Sequence, residues 1–383
     1  MAILWQFATP KYLIAGNGVG VSLPNYLRKQ QVTKVFIVVD SNLIKTNPYA
    51  KKIIKKIDVT YKLFDSFSTN PTTEQVNEAV RQYKNFQPDG VVVIGGGSAI
   101  DLAKATILTS LNGGVVEDYL SGKKGDKPFP PFVILPTTCG TGSEASPYAV
   151  ITDPKLKRKR GIENYNFLPL LVIMDTLLLE SLDKTMVAAT AIDALAHVME
   201  SFISRKANEI TKSSARGLFI GLRENIENAA LYKSKNALGN MLNVAFSSRL
   251  LYPRTGLTIA HALSHPLGAH TNIHHGLAVS FFIPVSFEFN YGACKKSMDE
   301  ALSLLDFKNL KEFVQWFIDF SDDSGIRTAI KIHLSKFDLP IKTMVKDAME
   351  SSNIPSNPKM VVQKDLEKII RDSLKLWGIY AKY

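Results

Sequence analysis

Three short runs of β-branched and aliphatic residues fix the class of the first half of this chain. Lys34–Asp40 (KVFIVVD), Asp89–Ile94 (DGVVVI) and Phe132–Leu135 (FVIL) are apolar through their interiors instead of alternating with polar residues. Runs of this kind suit strands buried on both faces, as in a parallel sheet covered by helices. Helical spacing fills the gaps between them. Thr72–Phe86 follows the Asn70-Pro71 turn with a helical pattern, another helix begins near Ala99, and Val172–Met174 reads as a later strand. Strand alternating with helix predicts an α/β domain built on parallel strands.

The character changes after Asp175. Ser181–Phe202 is rich in Ala, Leu and Met at helical spacing, and similar patterns recur at Asn236–Leu251, Leu257–His265, Leu310–Asp319 and Lys364–Leu376. Strand signals nearly vanish, apart from an ambiguous apolar run at Ala278–Val285. At 383 residues the chain exceeds what one core usually supports, about 250–300 residues. The expected organisation is an α/β dinucleotide-binding domain over residues 1–178 and an all-α domain over residues 179–383.

Composition narrows the setting. The hydrophobic fraction of 45% and charged fraction of 21% are ordinary for a globular protein. The two cysteines, Cys139 and Cys294, offer neither a disulfide framework nor a CxxC knuckle. Met1–Pro10 does not read as a signal peptide, and apolar stretches such as Ala278–Phe287 are too short to cross a bilayer. A soluble, cytoplasmic protein without a membrane partner is expected. The formal charge of +11 raises a nucleic-acid-binding alternative, but the lysines are spread along the chain. The one dense basic run, Lys155–Arg160, reads as a solvated loop, so no nucleic-acid partner is expected.

Two loops carry phosphate-binding signals. The strand ending at Ile94 runs into Gly95-Gly96-Gly97-Ser98 and then a helix whose first turns hold Asp101 and Lys104. Glycines let backbone approach a ligand closely, and the N–H groups and positive dipole end of the helix favour a pyrophosphate. The spacing departs from GxGxxG, so the usual fingerprint is absent. Gly16–Gly20 precedes the first convincing strand and reads as a turn. The second loop, Pro136–Glu144, packs hydroxyls and glycines after strand Phe132–Leu135. Ligands of open α/β sheets bind beyond the carboxyl ends of the strands, where both loops lie. Asp40 ends its strand, and a carboxylate there would accept from a ribose and repel a 2′-phosphate, which favours NAD over NADP.

The second half carries metal signals. Six of the seven histidines fall between positions 197 and 275. Asp193 and His197 are four apart in a helical pattern, so they share a face, and His261 and His265 repeat that spacing. His270, His274 and His275 follow. Imidazoles with a carboxylate suit zinc, ferrous iron, manganese or nickel. Spacing alone does not choose among the five late histidines, and Glu200, one turn beyond His197, is a competing ligand.

These motifs together name a family. GGGSAIDLAK (95–104), PTTCGTGSEAS (136–146), DALAHVMESF (193–202) and HALSHPLGAHTNIHHG (261–276) resemble the iron-containing (group III) alcohol dehydrogenases, which include lactaldehyde reductases, 1,3-propanediol dehydrogenases and butanol dehydrogenases. Similarity resumes at SSNIPSNPK and the helix after it (351–376). The resemblance implies an NAD-dependent oxidoreductase acting between a primary alcohol or diol and its aldehyde, on the scaffold shared with dehydroquinate synthase. It implies Asp193, His197, His261 and His275 as ligands of Fe²⁺, with Zn²⁺ as the substitute, and His265 as a proton relay near the substrate. It implies cofactor contacts at Asp40, Asn70, Gly96, Gly97, Ser98, Asp101, Thr137, Thr138, Thr141, Ser143 and Lys159, and a homo-oligomer of two or more chains. A glycerol dehydrogenase-like enzyme or another metal enzyme of the same fold is the alternative. Three regions depart from the family pattern. Ser247–Arg254 (SSRLLYPR) replaces a small apolar stretch and is expected to reshape the substrate pocket. His274 stands where proline is usual, and Cys294–Ala348 matches poorly.

Overall fold

The computed structural model describes residues 8–379. The described chain divides between Leu182 and Asp183 into two compact units.

The first unit is built on a six-stranded parallel sheet in the order β1-β8-β5-β4-β2-β3. Its strands are β1 (Tyr12–Gly16), β2 (Lys34–Val39), β3 (Thr60–Phe64), β4 (Gly90–Gly95), β5 (Phe132–Pro136) and β8 (Leu171–Asp175). A separate antiparallel hairpin joins β6 (Tyr148–Asp153) to β7 (Arg158–Glu163). The helices are α1 (Leu23–Lys29), α2 (Ser41–Thr46), α3 (Pro48–Lys55), α4 (Thr73–Phe86), α5 (Gly97–Asn112) and α6 (Val116–Leu120). Side chains alternate across a strand, so each apolar run supplies two buried faces. Phe36, Val38, Val91, Val93, Phe132 and Ile134 form one core with Val76, Ala79 and Tyr83 of α4 and Ile100, Leu102 and Ala103 of α5. Val35, Ile37, Val39, Val92 and Ile94 point the other way and are equally buried.

Sheet order places the crevice. From β2 the chain goes outward to β3, and from β4 it goes the opposite way to β5, so the order reverses between β2 and β4. The register pairs Val39 with Ile94, which brings Asp40 and Gly95 out side by side at the carboxyl ends. A dinucleotide crevice in an open α/β sheet lies at such a reversal.

Several elements differ from the sequence-based reading. Edge strand β1 runs through Gly16, and only Asn17 and Gly18 turn; Val19–Ser22 is a short 3-10 segment. That turn is tied down by Asp175, which accepts from the N–H groups of Gly18 (2.9 Å) and Gly20 (2.7 Å) and from the Tyr49 hydroxyl (2.7 Å). Thr60–Phe64 (TYKLF) is also an edge strand, and its first three residues are exposed. The basic run is not simply a solvated loop. Lys155–Lys157 is an exposed hairpin turn, but Arg158–Arg160 is half-buried in β7.

The second unit is helical: α7 (Lys184–Ile203), α8 (Glu209–Ala230), α9 (Lys235–Thr255), α10 (Ile259–Thr271), α11 (His275–Tyr291), α12 (Lys295–Leu304), α13 (Leu310–Asp323), α14 (Ile326–Leu334), α15 (Ile341–Met349) and α16 (Gln363–Leu376). The ambiguous run Ala278–Val285 lies wholly inside α11. Helix α7 is the hub of this unit, packed by α8, α9, α11, α12 and α14. It is long and apolar enough to cross a membrane by length and hydropathy, a property the sequence reading assigned to no segment, yet 94% of its apolar window is buried inside the structure. A helix apolar on every side suits the centre of a bundle.

Candidate metal centre and dinucleotide loops

The metal signals converge on one buried oxygen. Asp193 Oδ1, on α7, lies 3.3 Å from His261 Nε2, 3.6 Å from His275 Nε2 and 3.8 Å from His197 Nε2. Asp193, His197 and His261 are each 1% exposed, so water does not stabilise this charge. One ligand atom each from Asp193, His261 and His275 falls within 4.8 Å of the others, and His197 joins the group through Asp193. Asp193 Oδ1 and His261 Nε2 are buried without a hydrogen bond of acceptable geometry. Buried polar atoms rarely stay unsatisfied, and bonds of about 2.0–2.2 Å from nitrogen and oxygen to a first-row cation span separations of this size. The donor set therefore fits a divalent metal.

The electrostatics agree. Burial would raise the Asp193 carboxyl, but the imidazoles of His197, His275 and His261 hold it well below the usual carboxylate range. Burial would lower His261, but the charges of Glu200 and Asp193 raise it to about 9. Without a metal, a proton on His261 supplies the positive charge that this pair of carboxylates demands.

Each candidate ligand is held by identifiable local structure. Asp193, His197 and Glu200 share a face of α7 through their four- and three-residue spacing. Glu200 does not compete for the metal position. Its carboxylate is engaged by His261 Nδ1 on one oxygen and by the Thr258 hydroxyl on the other. A carboxylate behind a ligating imidazole fixes the ring and its tautomer, leaving Nε2 toward Asp193. The Thr258 hydroxyl is thus drawn away from capping α10, which has no side-chain cap of its own. The loop around 353–357 braces the approach to the helix instead: Asn353 Oδ1 accepts from Leu257 N–H (3.2 Å), before the helix, and Asn357 Oδ1 accepts from the first helical N–H, that of Ile259 (3.3 Å). His275 opens α11, where Gly276 allows close approach to α7. A Cβ on Gly276 would stand 2.4 Å from the Ala189 carbonyl oxygen.

Of the other histidines, His265 is half-buried one turn beyond His261, with its ring centroid 5.7 Å from that of His275. His270 and His274 are half-buried near the α10–α11 junction and are not part of the ligand cluster. His333 lies apart and meets the Thr271 carbonyl oxygen at 2.8 Å.

The dinucleotide candidates gather in the first unit. Gly96 and Gly97 open α5, and a Cβ on either would sit 2.9–3.0 Å from Thr138 or Thr141. The glycine turn and the Pro136–Glu144 loop therefore touch, and Thr137 N–H donates to the Gly95 carbonyl at 3.2 Å. Asp101 and Lys104 of α5 hold the second loop. Asp101 accepts from the Ser143 hydroxyl (2.6 Å) and Val150 N–H (3.0 Å). Lys104, fully buried, donates to the carbonyls of Ser143, Ser146 and Tyr148 at 2.7–2.9 Å. Asp40 caps α2 through Oδ1, which accepts from Asn42 N–H at 2.7 Å, and is exposed at the end of β2. Ser98 Oγ donates to the Thr69 carbonyl, beside Asn70. Lys159, half-buried on β7, donates to Asn70 Oδ1 at 2.7 Å, and burial lowers its ammonium to about 8, with Asp101 pulling the other way.

Comparison with known proteins decides the family. The iron-containing alcohol dehydrogenase model matches residues 10–176, and the C-terminal model of the same family matches residues 187–374. Alcohol dehydrogenase 4 of Schizosaccharomyces pombe is 30% identical over 74% of this chain and 68% of its own length. The chain belongs to the iron-containing alcohol dehydrogenase family. The NAD-dependent methanol dehydrogenase of Bacillus methanolicus is 27% identical over 96% of this chain and 100% of its own. Among solved structures, the sulfoacetaldehyde reductase of Bifidobacterium kashiwanohense in complex with NAD⁺ superposes with a TM-score of 0.86 at 25% identity, covering 97% of this chain and 99% of that one. Family membership makes this an oxidoreductase of the alcohol dehydrogenase class, with a metal centre in its helical half.

Two groups of supporting residues escaped the sequence reading. Glu200 appeared there only as a rival ligand. Asn353 and Asn357, in the SSNIPSNPK motif, had no role at all; their separation from Leu257 and Ile259 by 96 and 98 residues hides the contact from any local pattern.

Proposed function

We propose that this protein interconverts a primary alcohol or diol and its aldehyde, using NAD and one divalent metal ion held by Asp193, His197, His261 and His275. The observation that carries this reading is the approach of three imidazole nitrogens to a single buried carboxylate oxygen. Fe²⁺ is the expected ion and Zn²⁺ the substitute, since both accept nitrogen and oxygen donors without a thiolate.

When bound, the cation polarises the alcohol or aldehyde oxygen and the nicotinamide accepts or returns a hydride, so that alcohol and NAD yield aldehyde, NADH and one proton. The chain's own residues prepare and support this exchange. Glu200 and Thr258 keep His261 in the tautomer that directs Nε2 toward Asp193. His265 is the proposed proton relay, supported by its position one turn from His261 and beside the His275 ring. Gly96, Gly97 and Ser98 offer backbone N–H groups at the start of α5 to the pyrophosphate. Thr137, Thr138 and Thr141 line the adjoining loop, while Asp101 and Ser143 act by holding that loop in shape. Asn70 and Lys159, bonded to each other, and Asp40 at the end of β2 are the proposed ribose contacts. Asp40 would also disfavour a 2′-phosphate. A cytoplasmic setting and a homo-oligomeric assembly complete the proposal.

The test is NADH absorbance during oxidation of C2–C6 alcohols and diols by protein loaded with Fe(II) or Zn(II). Turnover that a chelator abolishes and the metal restores is expected. Turnover indifferent to metal would contradict the reading.

A further inference from the structure

Helix α9 closes with the segment Ser247–Arg254, which stands where the family resemblance leads one to expect small apolar residues. The segment brings an aromatic ring and a guanidinium against the metal centre. The Tyr252 ring stacks on that of His197, with centroids 5.7 Å apart and planes 11° from parallel. On Tyr252 in turn lies the Arg249 guanidinium, 4.0 Å from the ring centroid. His197 also stacks on His261 at 4.9 Å, so Arg249, Tyr252, His197 and His261 form a continuous series of contacts. Arg254 follows in the last turn of the same helix.

Neither arginine is neutralised. Both are half-buried, and the Nε atom of each is shielded from solvent without a hydrogen-bond partner. Among the described residues no carboxylate forms an ion pair with either, whereas Arg216, Arg327 and Arg371 of the same unit all have one. Removing guanidinium donors from water without a partner is unfavourable. An arginine serving only structure would donate to a carbonyl or carboxylate nearby. Arg249 instead rests over the Tyr252 ring, with its Nε buried and unbonded, and a guanidinium in that condition suits charge-assisted binding of an oxyanion.

We propose that Arg249, assisted by Arg254, binds an anionic group at the far end of the substrate. The preferred substrates would then be aldehydes and alcohols of a few carbons bearing a terminal carboxylate, sulfonate or phosphate. This deepens the dehydrogenase reading above and rests on it. The reacting oxygen would lie toward Asp193 and the imidazoles, with the chain along Tyr252 and the oxyanion toward the Arg249 guanidinium. Charge at the tail adds affinity in ground and transition states alike, so the expected signature is a lowered KM.

The experiment compares the metal-loaded enzyme with NADH on butanal and on three charged aldehydes: succinic semialdehyde, sulfoacetaldehyde and glycolaldehyde phosphate. At least one charged aldehyde should exceed butanal in kcat/KM by about 10-fold or more, as a charge-assisted hydrogen-bond pair supplies, and the three arms identify which oxyanion is favoured. Arg249→Met should reduce that ratio by about 10–100-fold, mainly through KM, and Arg254→Met by less. Arg249→Lys, which keeps the charge, should retain part of the preference and so separates loss of charge from loss of fold. Calorimetric titration of the same holoenzyme with succinate and with butanol decides the point independently of turnover: succinate should bind the parent more tightly and lose that advantage in Arg249→Met. Equal kcat/KM for charged and neutral aldehydes would overturn the subsite while leaving the dehydrogenase reading intact. An altered oligomeric state with unchanged selectivity would assign the arginines to a subunit contact and also overturn it. Absence of turnover with every aldehyde, beside arginine-dependent succinate binding, would retain the anion site and reject the dehydrogenase reading.

Discussion

The metal centre and the dinucleotide loops are built on opposite plans. The proposed metal centre draws four side chains from three helices, α7, α10 and α11, toward one carboxylate oxygen, with Asp193, His197 and His261 buried and His275 partly exposed. The proposed dinucleotide loops offer backbone, glycines and short hydroxyls spread over the ends of several strands. In the first plan every group is essential, because the charges left behind by losing one remain buried. In the second, contacts are many and individually small, so losses should be graded. Single substitutions should therefore be severe in the second unit and mild to moderate in the first.

The largest effect is expected for His261→Ala. It should lower metal content from about one ion per chain toward none and reduce turnover by on the order of 10³-fold or more, read by metal analysis beside NADH absorbance. Retained metal and turnover would remove the contrast between the two regions, since a single ligand would then be dispensable. Glu200→Gln comes next. The ring of His261 loses the carboxylate behind it, and metal affinity measured against a chromophoric chelator should fall about 10–100-fold. Gly276→Ala tests packing: the new Cβ would meet the Ala189 carbonyl, and thermal or denaturant unfolding should show a loss of about 1–3 kcal/mol together with weakened metal binding.

Smaller effects are expected in the loops. Asp40→Gly should relax the preference for NAD over NADP by about 10-fold, measured as a ratio of kcat/KM values, because a repulsive carboxylate is lost at one point among many contacts. An unchanged ratio would make Asp40 a helix cap only. The pH dependence of cofactor binding should be the mildest effect. Burial lowers the Lys159 ammonium to about 8, so its positive charge is present below that pH and lost above it. The dissociation constant for NADH should rise a few-fold as pH passes upward through about 8 by fluorescence titration, as loss of one partly screened charge implies, and Lys159→Arg should flatten the profile.

The two plans also differed in how well they could be read from sequence. Strands β2, β4, β5 and β8 were visible because strands covered on both faces are apolar without interruption. Strands β1 and β3 were missed because edge strands carry exposed polar and aromatic residues, as in TYKLF, and β7 was hidden beneath a basic run. Asp193 and His197 share a face by periodicity alone, but spacing did not choose among five late histidines. That choice depends on Gly276 letting α11 approach α7 and on where α10 begins, which Asn353 and Asn357 fix from across the unit. The contacts of Glu200 were hidden for the same reason: its carboxylate meets partners 58 and 61 residues away, which no local pattern shows.

The most direct test is anomalous diffraction, at the metal's absorption edge, from crystals of protein purified without oxygen and loaded with Fe(II) or Zn(II). One strong peak per chain is expected, bonded to Asp193, His197, His261 and His275, and no such peak in His261→Ala crystals. A parent protein that shows no metal at this point, or binds it through other residues, would rule out the four-residue centre.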